Sequence, residues 1–243
     1  LGMNIDGRRF DVGVPDAEPA LVIRLLDRAN QLGAGVVHRL LFGLLIVLSG
    51  PSGVGKGTVR KALFDMEDHD LTYSVSMTTR PIREGEVDGV DYYFVSKEDF
   101  EKRISENGFL EYEEFFGNYY GTPRDKVEQQ LDSGHEVVLE IEVQGALKVR
   151  NQVKDAVFIF LVPPSKKALK DRLISRGTED DQTINSRLEK AEKEFQVAHK
   201  YDYIVVNDDV YNAADRILAI IRAEHAKTER TIYKYKSLIE GDL

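Results

Sequence analysis

The sequence predicts an α/β fold, and three observations carry that expectation. Apolar runs such as IVLS, VVLEI, VFIFLV and YIVV are short, rich in β-branched residues and unalternating, as parallel strands covered on both faces are. Amphipathic stretches of helical period separate them, and strand followed by helix, repeated, is the α/β pattern. At 243 residues the chain is long enough to bury one substantial core.

Element by element, the apolar run LLIVLS reads as the first core strand and VRKALFDM as the helix after it. YSVSM, DYYFV and FLEYEEF read as strands, with the helix KEDFEKRISEN before the last of these. PRDKVEQQLDSG is a helix, EVVLEIE and AVFIFLV are strands, and three helical stretches surround YDYIVV. The terminal run AADRILAIIRAEHAKTERTIYKYKSLIE is amphipathic and is expected to pack as a helix. Residues 1–39 have a different texture: glycines and prolines scatter through NIDGRRFDVGVPDAEP, and one amphipathic run, ALVIRLLDRANQL, has helical period. They are expected to form an appendage.

Composition excludes several classes. A formal charge of -9 and a pI near 5.2 argue against a protein that tracks nucleic-acid backbones, which needs a basic face. The longest apolar stretch, Leu40 to Leu48, is far short of the roughly 20 residues of a membrane-spanning helix, and it sits too far into the chain for a secretory signal. With no cysteine, disulfides and thiolate metal sites are excluded, which suits a reducing cytoplasm. His38, His69, His135, His199 and His225 are scattered without metal-ligand spacing.

The stretch GPSGVGKGT, Gly50 to Thr58, follows the first core strand and precedes its helix. Gly50, Gly55 and Lys56 satisfy the P-loop pattern in the strand-loop-helix context that gives it meaning. Glycines let backbone amides turn inward around phosphates, the helix N-terminus adds a positive dipole end, and the lysine supplies a mobile cation. The residue after Lys56 is Gly57, so the hydroxyl arrives one place later at Thr58, which becomes the candidate metal ligand.

P-loops serve several chemistries, and the residues downstream discriminate. In SVSMTTRPIREGEVDGVDYYF, Arg80 and Arg83 stand three apart, flanked by hydroxyls and followed by tyrosines, a combination suited to gripping a phosphate. In FLEYEEFFGNYYGT, Glu111, Tyr120 and Thr122 are candidates to face a cavity. Glu140 and Glu142 end an otherwise apolar strand, where ligands of open α/β sheets bind and where carboxylates are seldom present for packing.

Taken in order, GPSGVGKGT, SVSMTTRPIREGEVDGVDYYF, GNYYGTP, LEIEVQGA, RLISRGTE and VVNDD resemble the guanylate kinases, specifically the bacterial GMP kinases of nucleotide metabolism. The resemblance runs from about Leu44 to near the C-terminus and leaves residues 1–39 outside, so residues 40–243 are expected to form the kinase-like domain. It implies a P-loop kinase with a parallel five-stranded core sheet flanked by helices, a small mixed β region for GMP at about 76–125, and a helical lid at about 172–190.

The resemblance also implies roles. Gly50, Pro51, Ser52, Gly53, Val54, Gly55, Lys56, Gly57 and Thr58 would cradle ATP with Mg2+, and Asn207 would meet its adenine. Ser76, Glu111, Thr122 and Glu142 would read the guanine, Glu140 is expected among the substrate-binding residues, and Arg80, Arg83, Tyr92 and Tyr120 would hold the GMP phosphate. Lys56, Arg172, Arg176 and Arg187 would stabilise the transferring phosphoryl group. The expected reaction is ATP plus GMP giving ADP plus GDP, with dGMP accepted, by a cytoplasmic monomer or homodimer that binds neither nucleic acid nor membrane. A scaffold domain that grips phosphorylated peptides is the competing reading, and the intact P-loop lysine and lid arginines argue against it. A kinase for another nucleotide, such as AMP, is opposed by Glu111 and Glu142.

Overall fold

In the computed structural model, residues 2–5, 8–11, 43–67, 69–115, 117–175 and 181–235 are described. Strands β1 (Gly2–Ile5) and β2 (Arg8–Asp11) pair antiparallel as a hairpin, Gly2 opposite Asp11, which the glycine-rich texture of this segment does not foretell. The amphipathic run within residues 20–32 lies outside the described residues.

Strand β3 (Leu45–Ser49) is buried along its whole length. Successive side chains point to opposite faces, so Ile46 and Leu48 enter one hydrophobic core while Leu45 and Val47 enter another. That two-sided burial is why the run does not alternate polar with apolar. Helix α1 (Lys56–Phe64) follows. After it come β4 (Leu71–Tyr73), β5 (Met77–Thr78), β6 (Tyr93–Phe94) and helix α2 (Lys97–Ser105), whose Ser96 cap accepts the Asp99 amide. The chain continues through β7 (Phe109–Phe115), β8 (Asn118–Pro123), α3 (Arg124–Asp132), β9 (Glu136–Glu140), α4 (Val143–Gln152) and β10 (Val157–Val162). It closes with α5 (Lys166–Ser175), α6 (Asp181–Phe195), β11 (Tyr203–Val206), α7 (Val210–His225) and the short α8 (Thr228–Thr231).

Five parallel strands form the core sheet in the order β11-β10-β3-β9-β4. Helices α1 and α7 supply buried residues to one face, and α3 and α4 to the other. The connection after β3 runs to the edge strand β4 on one side while that after its neighbour β10 runs to β11 on the other, so the loop after β3 opens at the topological switch point, where α/β sheets bind ligands. A second, mixed sheet has the order β6-β5-β8-β7. Its β5 pairs parallel with β6 and antiparallel with β8. Phe100 of α2 anchors this sheet, stacked on Phe109 at 4.3 Å and on Tyr119 at 5.2 Å between ring centroids.

Candidate active site

The phosphate loop is assembled at the carboxyl end of β3. Gly55 caps α1 with φ 95, a left-handed conformation that glycine adopts without strain. A Cβ there would also stand 2.7 Å from Asn207 Nδ2, so the loop and β11's trailing residue meet too closely for any side chain. Lys56 opens α1 and folds back over the loop, its Nζ donating to the Gly50 carbonyl at 2.8 Å and lying 3.0 Å from Glu142 Oε1. The loop is fastened from outside. The Val54 carbonyl accepts from Asn207 Nδ2 at 2.8 Å and from Arg172 Nη1 at 3.0 Å, Arg172 Nη2 donates to the Asn207 carbonyl, and Arg187 Nη2 donates to Ser52 Oγ at 2.8 Å. Asn207 is 2% exposed, and its Oδ1 finds no donor among the described residues. Pro51 is buried and Thr58, in α1's first turn, is exposed.

The two carboxylates after β9's apolar run part company. Glu140 ends the strand and pairs with Arg60 Nε at 2.7 Å, and Arg60 stacks over Tyr73. Glu142 instead caps α4 and bridges Lys56 to Lys190 of α6, the latter at 3.5 Å. Burial pushes the Glu142 carboxyl up, but the Lys56 and Lys190 charges outweigh that and hold it below the usual range. Lys190 also reaches the buried Glu194 at 3.6 Å.

The small sheet carries the other set. Glu111 on β7 faces Thr122 on β8, is 8% exposed, and accepts the Thr122 hydroxyl at 2.7 Å. Burial drives its pKa upward against the lowering by that bond. A Cβ on Gly145 of α4 would fall 2.7 Å from Glu111 Oε2, so the glycine is what lets helix and carboxylate share this space. Arg80, just past β5, engages Glu86 through both terminal nitrogens at 2.8 Å and lies over the Tyr92 ring. Tyr92 and Tyr120 meet edge to face at 6.0 Å, and burial raises the Tyr92 phenol. Arg83 is exposed, and Ser76 sits half-buried ahead of β5, its carbonyl accepting the Tyr93 amide.

The expected site residues therefore gather in two groups: Gly50 to Thr58 with Arg172, Arg187, Asn207, Glu140 and Glu142 around the loop, and Ser76, Arg80, Arg83, Tyr92, Glu111, Tyr120 and Thr122 on the small sheet. Arg176 lies outside the described residues. Reading the sequence missed Arg60, Glu86, Lys190 and Glu194. Each is a charged residue in a charged stretch, and only its partner in space marks it.

A loop built to wrap phosphates, fastened by arginines and facing a separate sheet lined with a buried carboxylate and an arginine, defines a P-loop phosphotransferase. A model of the guanylate kinase family matches residues 43–224. Guanylate kinase of Onion yellows phytoplasma (strain OY-M) is 62% identical over 201 residues, 82% of this chain and 95% of that protein. Guanylate kinase of Bacillus subtilis (strain 168) is 56% identical, over 82% of this chain and 97% of that one. The crystal structure of guanylate kinase from Anaplasma phagocytophilum superposes with a TM-score of 0.63 at 38% identity, covering 79% of this chain and 90% of that one. The chain belongs to the guanylate kinase family.

Proposed function

We propose that the protein transfers the γ-phosphoryl group of ATP to GMP, giving ADP and GDP, and accepts dGMP as well. One observation carries the acceptor. Thr122, bonded to the buried Glu111, and Tyr120, beside Tyr92 and Arg80, are two residues apart on β8, hence on one face and about 7 Å apart. Guanine offers two donors at N1 and N2 and an acceptor at O6, so a carboxylate and a hydroxyl make a reader for it, with Ser76 as the second hydroxyl. A fork of arginine donors with two phenols suits the 5′-phosphate. Glu142, held against Lys56, has the chemistry to serve either the base or the phosphate end.

On the donor side Gly50 to Thr58 wrap the ATP phosphates, Lys56 sits at the β and γ oxygens, and Asn207 offers to the adenine amine the Oδ1 that meets no donor among the described residues. Arg172, Arg176 and Arg187 bring positive charge to the transferring group, which is the larger part of what phosphoryl transfer asks of a protein. Magnesium fits the donor set. The Thr58 hydroxyl is exposed in α1's first turn, and Glu140 Oε1 lies 3.4 Å from where a Cβ on Gly57 would stand, so the missing side chain keeps a space lined by hard oxygen. Thr58 would hold the ion with Glu140 beside it, phosphate and water filling the shell. When bound, such an ion would supply positive charge against the phosphates of ATP. Residues 76–125 form the GMP-binding part and 172–190 the lid in this reading, and the enzyme acts in the cytoplasm as a monomer or homodimer. No helix among the described residues is long and apolar enough to cross a membrane.

A coupled assay with GMP, AMP, UMP and CMP as acceptors tests the reading. GMP is expected to be preferred by about 10³-fold or more, the scale on which sites built of buried polar groups reject a base that leaves them unpaired. Comparable use of AMP would overturn the guanine assignment.

A further inference from the structure

We infer that Glu86 is a positioning residue for the acceptor phosphate, holding Arg80 and the Arg83 backbone in the geometry that grips it; this rests on the reading that Arg80 and Arg83 hold the GMP phosphate. The contacts form a closed set. Glu86 Oε1 accepts from Arg80 Nη2 and Oε2 from Arg80 Nη1, both at 2.8 Å. The Arg83 amide donates to Oε2 at 2.8 Å, and the Glu86 amide returns a bond to the Arg83 carbonyl at 3.1 Å. One carboxylate thus fixes the side chain of one arginine and the main chain at the other. The Arg80 and Glu86 side chains are 10% and 20% exposed, so the pair is shielded from bulk solvent on most sides.

Glu86 supports Arg80 rather than competing for its substrate. A guanidinium has five N–H donors and two edges able to grip a pair of oxygens. Arg80 gives its end to Glu86, and Nη1 also donates to the Pro81 carbonyl at 2.8 Å. What remains is the side edge, Nε–H and one Nη2–H, with the Tyr120 hydroxyl as neighbour. A phosphate taking that edge meets a guanidinium already aimed, with Tyr92 and Phe94 rings packed against it at 5.3 and 5.5 Å. Through its bonds to Arg80 and the Arg83 amide, the Glu86 carboxyl is held down at about 2, which keeps it ionised at neutral pH. The rest of the loop is locked in parallel, Val87 N–H donating to Asp91 and Phe94 N–H to Asp88.

The test is steady-state kinetics on Glu86→Gln and Glu86→Ala, with Arg80→Lys as control and guanosine as a competitive inhibitor that lacks the phosphate. KM for GMP is expected to rise about 10- to 100-fold, the scale of misplacing a binding group by an ångström, with kcat falling less than KM rises. KM for ATP and the inhibition constant of guanosine should stay where they are. A KM for GMP that is unchanged or lower makes Glu86 a bystander or a competitor and overturns the proposal. So does an equal weakening of ATP or guanosine, which marks general damage to the fold. If Arg80→Lys leaves KM for GMP unchanged, the phosphate reading itself fails. If Arg80→Lys raises it and the Glu86 variants do not, only the role of Glu86 falls.

Discussion

Lys56 touches a backbone carbonyl and Glu142 but fills no part of either hydrophobic core. Lys56→Ala is therefore expected to reduce turnover by about a thousandfold, as loss of a fixed charge at the transferring group does, while circular dichroism is unchanged; turnover near that of the parent would remove the lysine from the mechanism. Glu111 presents the opposite balance. Its folded pKa is raised, so the folded state binds its proton more tightly than the unfolded chain, and stability is lost as pH rises through the interval between the two values. Ionised, the carboxylate costs stability, and in the proposed reading this is the form that accepts from guanine. Glu111→Gln should keep or raise the melting temperature while kcat/KM for GMP drops about 10- to 1000-fold, on the scale of one or two lost charge-assisted hydrogen bonds. In the parent enzyme, kcat/KM for GMP should decline as pH falls through the raised pKa, with KM for ATP insensitive.

Helices connect these side chains to one another. Arg172 straps α5 to the phosphate loop through the Val54 and Asn207 carbonyls, so Arg172→Ala should lower turnover and also lower stability by about 3 to 6 kcal/mol, two charged hydrogen bonds at about 1.5 to 3 each. Turnover alone would fall if the arginine worked only on the substrate. On α4, Gly145→Ala should gain about 1 kcal/mol of helix propensity and yet impair GMP use, because the added methyl meets the Glu111 carboxylate; kinetics showing KM for GMP raised and KM for ATP unchanged would bear this out. The elements themselves were unevenly legible. Strand β3, the P-loop and the helices of strong period stand out in the sequence because burial and capping are local signals. Strand β6 lies inside the run DYYFV, and the single strand read in YSVSM divides into the end of β4 and the start of β5, whereas β8, NYYGTP, is absent from that reading because it exists through its pairing with β5 and β7, which no window of sequence contains. Helix α4 went unread behind the motif LEIEVQGA, and Glu142, expected at a strand end, proved to be its cap. The Arg80–Glu86 pair was hidden for a simpler reason: an acid and a base six residues apart in a charged loop look like solvated surface.

At the scale of the whole molecule, the family match begins at residue 43, where the Gly43 amide donates to the Leu131 carbonyl and a Cβ would collide with the His135 backbone. Removing residues 1–39 is expected to leave turnover and melting temperature nearly unchanged, whereas a truncated chain that is insoluble or inactive would assign the segment to packing or assembly. The placing of β3 has a consequence for how the protein is made. Ile46 pairs with Val138 on one side and Val157 on the other, so the first core strand leaves the ribosome long before either neighbour exists. Until Val138 has emerged, LIVLS is an apolar segment with both edges open, and one edge stays open until Val157 follows, the kind of surface that sticks to other nascent chains. Parallel pairings of such long reach also form slowly, and the phosphate loop, hung on the end of that strand, takes shape among the last parts of the newborn enzyme.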